Sequence, residues 1–216
     1  MNHSKFLVFD LETTDKNPFN AEIIEGCFCI TDDDFNIIDT HIMQSRVNDW
    51  SESAELVHGI SYNKMMAFPD KTQAYEDLFK FLSQYKPYRV CCYSNPNSYI
   101  EESKTNLYAH YDNAVIKKEL NVNYGSHVLF YFYFSDSVYS PYLEIKKLHK
   151  QGTINIAKHK TLSQFSLENV VLNTLGKSYN AHNALDDTKI LIDLCRYIAK
   201  IKHEQKCNIM YNAIND

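Results

Sequence analysis

The chain opens on a mostly apolar run, Lys5 to Asp10, in which both alternating sets of side chains are hydrophobic, a pattern that predicts a central strand covered on both faces. Ala21 to Thr31 and Phe35 to Met43 read as further strands divided by the polar turn Asp32-Asp33-Asp34, so the N-terminal part is a meander. Past Pro69 the period changes. Tyr75, Leu78, Phe79 and Leu82 recur at helical spacing and predict an amphipathic helix over Thr72 to Tyr85, stopped by Pro87. Arg89 to Tyr93 predicts a short strand, Ser94 to Ser103 a polar loop, and Asn106 to Leu120 a helix. Val128 to Phe134, an unbroken aromatic and aliphatic run, predicts a core strand. Two helices complete the pattern, Leu162 to Leu175 with Gly176 as its stop, and Ala184 to about Lys202. A meander followed by alternating helices and strands implies one α/β domain with a mixed sheet over residues 1–203, and residues 204–216 read as a loose C-terminal tail.

A length of 216 residues, 44% of them hydrophobic, supports one substantial core and is short for two domains. No stretch approaches the roughly 18 to 20 apolar residues that span a bilayer, and the first residues carry no basic-then-apolar signal pattern. The expectation is a soluble, cytoplasmic chain without membrane contact. The six cysteines, at positions 27, 29, 91, 92, 195 and 207, form no C-x-x-C pair and no zinc-type cluster with histidine, which predicts reduced core thiols. A net charge of −5 argues against a duplex binder with a broad basic stripe. It does not exclude a nucleic-acid substrate, because cations held by carboxylates engage phosphate themselves. Lys146-Lys147, His149-Lys150 and Lys158-His159-Lys160 each read as a solvated face, and together they predict a modest, salt-sensitive grip on a polyanion.

The informative residues are acids on faces that periodicity assigns to the core. In the first strand Phe6, Val8, Asp10 and Glu12 share one face, and Leu7, Phe9 and Leu11 the other. Two carboxylates therefore project side by side at the strand's C-terminal end, roughly 7 Å apart along it, a span that two divalent cations can bridge. Taken alone, such a D-x-E pair reads better as a solvated strand end. Asp112 falls within the apolar stripe of Tyr108, Tyr111, Val115 and Ile116, where an unpaired carboxylate loses several kcal/mol of hydration. Asp187 shares a face with Ala184, Leu191, Leu194, Cys195 and Ile198. Its neighbour Asp186 has an ordinary role available, reaching back toward the N-cap residue Asn183. His182 precedes the cap and belongs to the loop that enters the helix.

These residues resemble the DEDD exonucleases with a catalytic histidine, a family of polymerase proofreading subunits and stand-alone DNA and RNA trimming enzymes. Val8-Phe9-Asp10-Leu11-Glu12-Thr13-Thr14 is similar to the first motif, His110-Tyr111-Asp112 to the second, and His182-Asn183-Ala184-Leu185-Asp186-Asp187 to the third. Val57-His58-Gly59-Ile60, Phe134-Ser135-Asp136-Ser137 and Phe165-Ser166-Leu167-Glu168 are weaker echoes. The resemblance covers roughly residues 5 to 200. It implies a ribonuclease H-like fold with a mixed five-stranded sheet flanked by helices. It also implies a 3′-5′ exonuclease acting on nucleic-acid 3′ ends and releasing nucleoside 5′-monophosphates; DNA is the favoured substrate here, and an exoribonuclease or RNA-trimming enzyme of the same family is the alternative. Carried over by position, Asp10, Glu12, Asp112 and Asp187 would hold two divalent cations, Mg²⁺ or Mn²⁺, and His182 would be the general base. Leu11, Thr13, Thr14, His58 and Ile60 would seat the terminal nucleotide.

Two departures from the family pattern stand out. Asp15 replaces a usual glycine, which predicts a different turn after the first motif, and a polar stretch from about residue 94 to Asn106 intervenes before the second motif, as a lid or substrate-specific loop. The rival reading is a haloacid-dehalogenase-like phosphatase, whose D-x-D-x-T nucleophile motif the D-L-E-T-T segment loosely resembles. Against it, the second acid is Glu12, and the Asp186-Asp187 pair lies in a helix behind a histidine.

Overall fold

The computed structural model describes residues 5–85, 88–94, 110–125 and 138–215. Three strands come first, β1 (Phe6–Thr13), β2 (Ile23–Thr31) and β3 (Ile37–Gln44), followed by helices α1 (Glu52–His58), α2 (Tyr62–Met66) and α3 (Lys71–Tyr85). The short strand β4 (Arg89–Cys91) precedes α4 (Tyr111–Tyr124), α5 (Pro141–Lys150), α6 (Leu167–Leu175) and α7 (Ala184–Asn215). Strand order is β3-β2-β1-β4, with β1 antiparallel to β2 and parallel to β4, so the sheet is mixed and β1 is central, as its two-sided hydrophobicity predicts. The described sheet has four strands. The expected fifth, Val128 to Phe134, lies outside the described residues, as do 95–109, which contain most of the expected insertion. Beyond β4, Cys91 makes a parallel bridge to Tyr139.

The two faces of β1 enter separate cores. Leu7, Phe9 and Leu11 pack with Tyr75, Leu78 and Leu82 of α3 and with Val115, Ile116 and Leu120 of α4. Phe6 and Val8 pack with Cys27, Cys29 and Cys91 and with Leu191, Ile192 and Cys195 of α7. Leu7, Val8 and Phe9 are fully buried, each stabilising the fold by about 1.5–3 kcal/mol, which anchors the strand that must also hold acids at its far end. All five cysteines of the core are free and buried, and Cys207 is exposed. Among the described residues no helix is long and apolar enough to cross a membrane.

Several boundaries differ from the sequence expectation for identifiable reasons. α6 begins at Leu167 rather than Leu162, because the Ser166 hydroxyl accepts the Asn169 N–H and caps the helix there. α7 continues to Asn215 rather than ending near Lys202, since residues 203–215 contain neither Gly nor Pro to stop it. The structure adds three helices to the sequence expectation, α1, α2 and α5, each capped by a serine. α4 is buried on more than one stripe, and its Glu119 carboxylate accepts from Tyr75 Oη at 2.8 Å and pairs with Lys71 and Lys118, each at 2.8 Å. Lys71 also reaches Glu22 at 2.7 Å, which ties α3 and α4 to the chain entering β2.

Gly26 of β2 sits opposite Leu11. A β-carbon there would lie 2.8 Å from Phe28 Cε2 and 2.9 Å from Leu11 Cδ2, both within the buried core. Gly26→Ala should therefore cost about 1–3 kcal/mol through overpacking, lowering the melting temperature by about 2–4 °C per kcal/mol. A melt indistinguishable from the parent would contradict this packing.

Candidate active site

The C-terminal end of β1 carries Asp10 and Glu12 toward the first turn of α7. There Asp187 is buried, and a carboxylate oxygen from each of the three acids lies within 4.8 Å of the others. Thr188, next along α7, donates its hydroxyl to the Cys27 carbonyl at 3.3 Å and fixes that turn against β2. Asp112, in the first turn of α4 and 6% exposed, lies outside this three-acid group but within electrostatic reach of it.

Burial, reinforced by the charges of Asp112, Asp187 and Glu12, holds Asp10 well above the usual carboxylate range. Burial and the charges of Asp187, Asp112 and Glu25 push Glu12 up to about 8. Glu25 is its direct cross-strand neighbour, held by Gln44 Nε2 at 2.8 Å. Asp112 is pushed up to about 7, again by burial and then by Asp187. Burial also raises Asp187, opposed by hydrogen bonds from Tyr179 and Asn183 and by the nearby His182. Four acids that hinder one another's ionisation in a dry setting form a site short of positive charge. Hard carboxylate oxygens this close together could hold a divalent metal ion.

The cap of α7 differs from expectation in one respect. Asp187, not Asp186, reaches back, its Oδ2 accepting the Asn183 N–H at 3.1 Å, while Asn183 Oδ1 accepts the Asp186 N–H at 3.1 Å. The carboxylate one position further along points toward the cap because Asp187 faces the sheet. His182 has a positive φ of 64°, a left-handed conformation that turns the chain sharply into the cap. It lines a groove of about 230 Å³ together with Asp10, Glu12, Asp187, Tyr93, Glu168 and Tyr179.

A second groove, of about 630 Å³, shares Leu11 and Glu12 with the first and is lined further by Thr13, Thr14, Ser51, Val57, His58 and Tyr111. The structure thus brings four of the five expected nucleotide-seating residues to one surface. Ile60 is the exception, buried against Ile24, Val47, Met65 and Phe68. It acts on the groove from behind, its N–H donating to His58 Nδ1 at 3.0 Å, which leaves the proton of the neutral ring on Nε2. Thr14 is mostly committed to structure, its hydroxyl accepting the Glu22 N–H at 3.0 Å.

The turn after β1 is held differently from a glycine turn. Asp15 Oδ1 accepts the Asn17 N–H at 2.7 Å, and the Asp15 carbonyl accepts from the Tyr111 hydroxyl, which also meets Thr13 Oγ1 at 2.5 Å. Tyr111 therefore ties the first acidic segment to the start of α4. Periodicity assigned it to an apolar stripe, and its hydroxyl gave no signal. Tyr179, whose hydroxyl donates to Asp187 Oδ1 at 2.8 Å, was equally unmarked in the sequence.

The mixed α/β fold is one that solved structures share. The chain aligns with Escherichia coli exonuclease I in complex with a dT13 oligonucleotide at a TM-score of 0.74 and 16% identity, over 96% of this chain and 43% of that one. The zinc-bound form of the E. coli exonuclease I complex with single-stranded DNA aligns at 0.73 and 18%, over 98% and 43%. The chain thus spans less than half the length of these proteins, and at this identity the likeness shows the fold alone. No family model matches the sequence, and no curated protein matches it.

Proposed function

We propose that this chain is a metal-dependent 3′-5′ exonuclease that releases nucleoside 5′-monophosphates from single-stranded nucleic-acid ends, with DNA the favoured polymer. The observation that carries this reading is the convergence of Asp10, Glu12 and Asp187 within 4.8 Å beside the smaller groove, with Glu12 also lining the larger one and Asp112 within electrostatic reach. The likeness to exonuclease I, solved with single-stranded oligonucleotides, supports it.

Asp10, Glu12, Asp112 and Asp187 hold two Mg²⁺ or Mn²⁺ ions in this reading. Bound there, the cations supply the positive charge that acidifies the attacking water and steadies the charge developing on phosphate. The larger groove seats the terminal nucleotide against Leu11, Thr13 and His58. His182, facing the smaller groove beside three of the acids, takes the proton of the attacking water. The chain's net charge of −5 fits a site that recruits phosphate through cations rather than through a basic surface.

His182→Ala should lower kcat by about 10²- to 10³-fold while leaving Mn²⁺ affinity nearly unchanged, the signature of a lost general base. Product analysis tests the class of reaction. Incubation of single-stranded DNA with Mn²⁺ should yield nucleoside 5′-monophosphates, whereas inorganic phosphate as the sole product would establish the phosphatase reading instead.

A further inference from the structure

Tyr179 sits in the loop between the end of α6 and the cap of α7, three residues before His182. Its ring lines the smaller groove and its hydroxyl donates to Asp187 Oδ1 at 2.8 Å. The other oxygen, Oδ2, accepts the Asn183 N–H at 3.1 Å. Asp187 is thus held by one donor on each oxygen, and each oxygen keeps a lone pair to offer elsewhere. Both donors come from the same loop and flank His182. The loop turns sharply at His182, φ 64°, and the Tyr179 bond pins its near side to the first turn of the helix.

We infer that Tyr179 is a positioning residue that orients the Asp187 carboxylate for cation binding and holds the His182 loop against the acid cluster. The assignment rests on the metal-site reading above. The Asn183 N–H holds Oδ2 and the Tyr179 hydroxyl holds Oδ1, so the two donors together define one orientation of the carboxylate, and the neutral hydroxyl does so at small cost in ligand strength. Outer-shell partners of this kind typically change metal affinity by about 10- to 100-fold.

The test compares the parent chain with Tyr179→Phe, which removes one oxygen and keeps the ring. Mn²⁺ binding is read directly from the free-ion signal in electron paramagnetic resonance, and thermal melts are recorded in excess chelator. The expected result is a Mn²⁺ Kd raised about tenfold or more, with the chelated melt unchanged within about 3 °C. In turnover, kcat at limiting Mn²⁺ should fall and recover in part as Mn²⁺ is raised, the remaining deficit reflecting the loosened His182. An unchanged Kd alongside normal Mn²⁺ binding by the parent overturns the Tyr179 assignment and leaves the metal site intact. A lowered chelated melt with unchanged Kd overturns it too, marking a purely structural bond. Absence of saturable Mn²⁺ binding in the parent overturns the metal-site reading itself, and this inference with it.

Discussion

Asp10→Asn is expected to reduce nucleotide release by about three orders of magnitude or more, and at the same time to stabilise the metal-free protein above neutral pH. The first effect follows from position. Asp10 is the acid on which the other three converge, with Asp112, Asp187 and Glu12 all acting on it at a half-buried position. Cation-based stabilisation of a transferring phosphate is worth several kcal/mol, and each 1.36 kcal/mol of lost transition-state stabilisation is about tenfold in rate. The second effect has the opposite sign because the amide removes a charge that the metal-free site cannot accommodate. A variant that is both dead and more stable separates a lost ligand from a broken fold. Retained activity, or a dead variant that melts early at every pH, would remove Asp10 from the centre of the account.

The metal-free protein should lose stability as pH rises from about 5 to 8. Glu12 moves from its ordinary 4.5 to about 8 on folding, and Asp112 from 3.8 to about 7. Between those values the folded chain holds protons that the unfolded chain has released, so unfolding free energy falls with increasing pH. Below the unfolded-state values both states are protonated and the contribution is fully present. It is lost as pH passes through the folded-state values. With two buried acids involved, the melting temperature in chelator should drop by on the order of 10 °C across the window. Millimolar Mg²⁺ or Mn²⁺ should restore most of that loss at pH 8 and little at pH 5, since the cation binds the ionised carboxylates. A chelated melt that is flat or rises from pH 5 to 8 would mean that the four acids are not mutually repelling in the folded state.

Much of this site was legible in the sequence because acids on core faces contradict the local pattern. The alternation of Phe6 and Val8 against Leu7 and Phe9 assigned Asp10 and Glu12 to the α7 side, and the cores divide along that line. Asp187 was marked by the company of Ala184, Leu191 and Cys195, which pack in that same core. What escaped depends on contacts far apart along the chain. Glu119, buried and held by Lys71 and Tyr75, lies in a helix whose sequence offers no hint of partners more than forty residues away. The hydroxyls of Tyr111 and Tyr179 belong to residues that hydropathy reads as aromatic bulk. Ser140 and Pro141 mark the start of α5, but Ile145 and Leu148 form only a narrow apolar stripe on it, a weak periodic signal. The reach-back of Asp187 rather than Asp186 shows how a cap and a buried face can compete for the same carboxylate.

The central claim, that the Asp10–Glu12 cluster serves cation-dependent removal of nucleotides from a 3′ end, is met most directly by digestion of 5′-labelled single-stranded DNA in Mn²⁺ and in excess chelator. The account predicts a ladder that shortens from the 3′ end one nucleotide at a time in Mn²⁺, and intact substrate in chelator. Full-length substrate in both, internal cuts in place of a ladder, or equal degradation with the cation removed would contradict it.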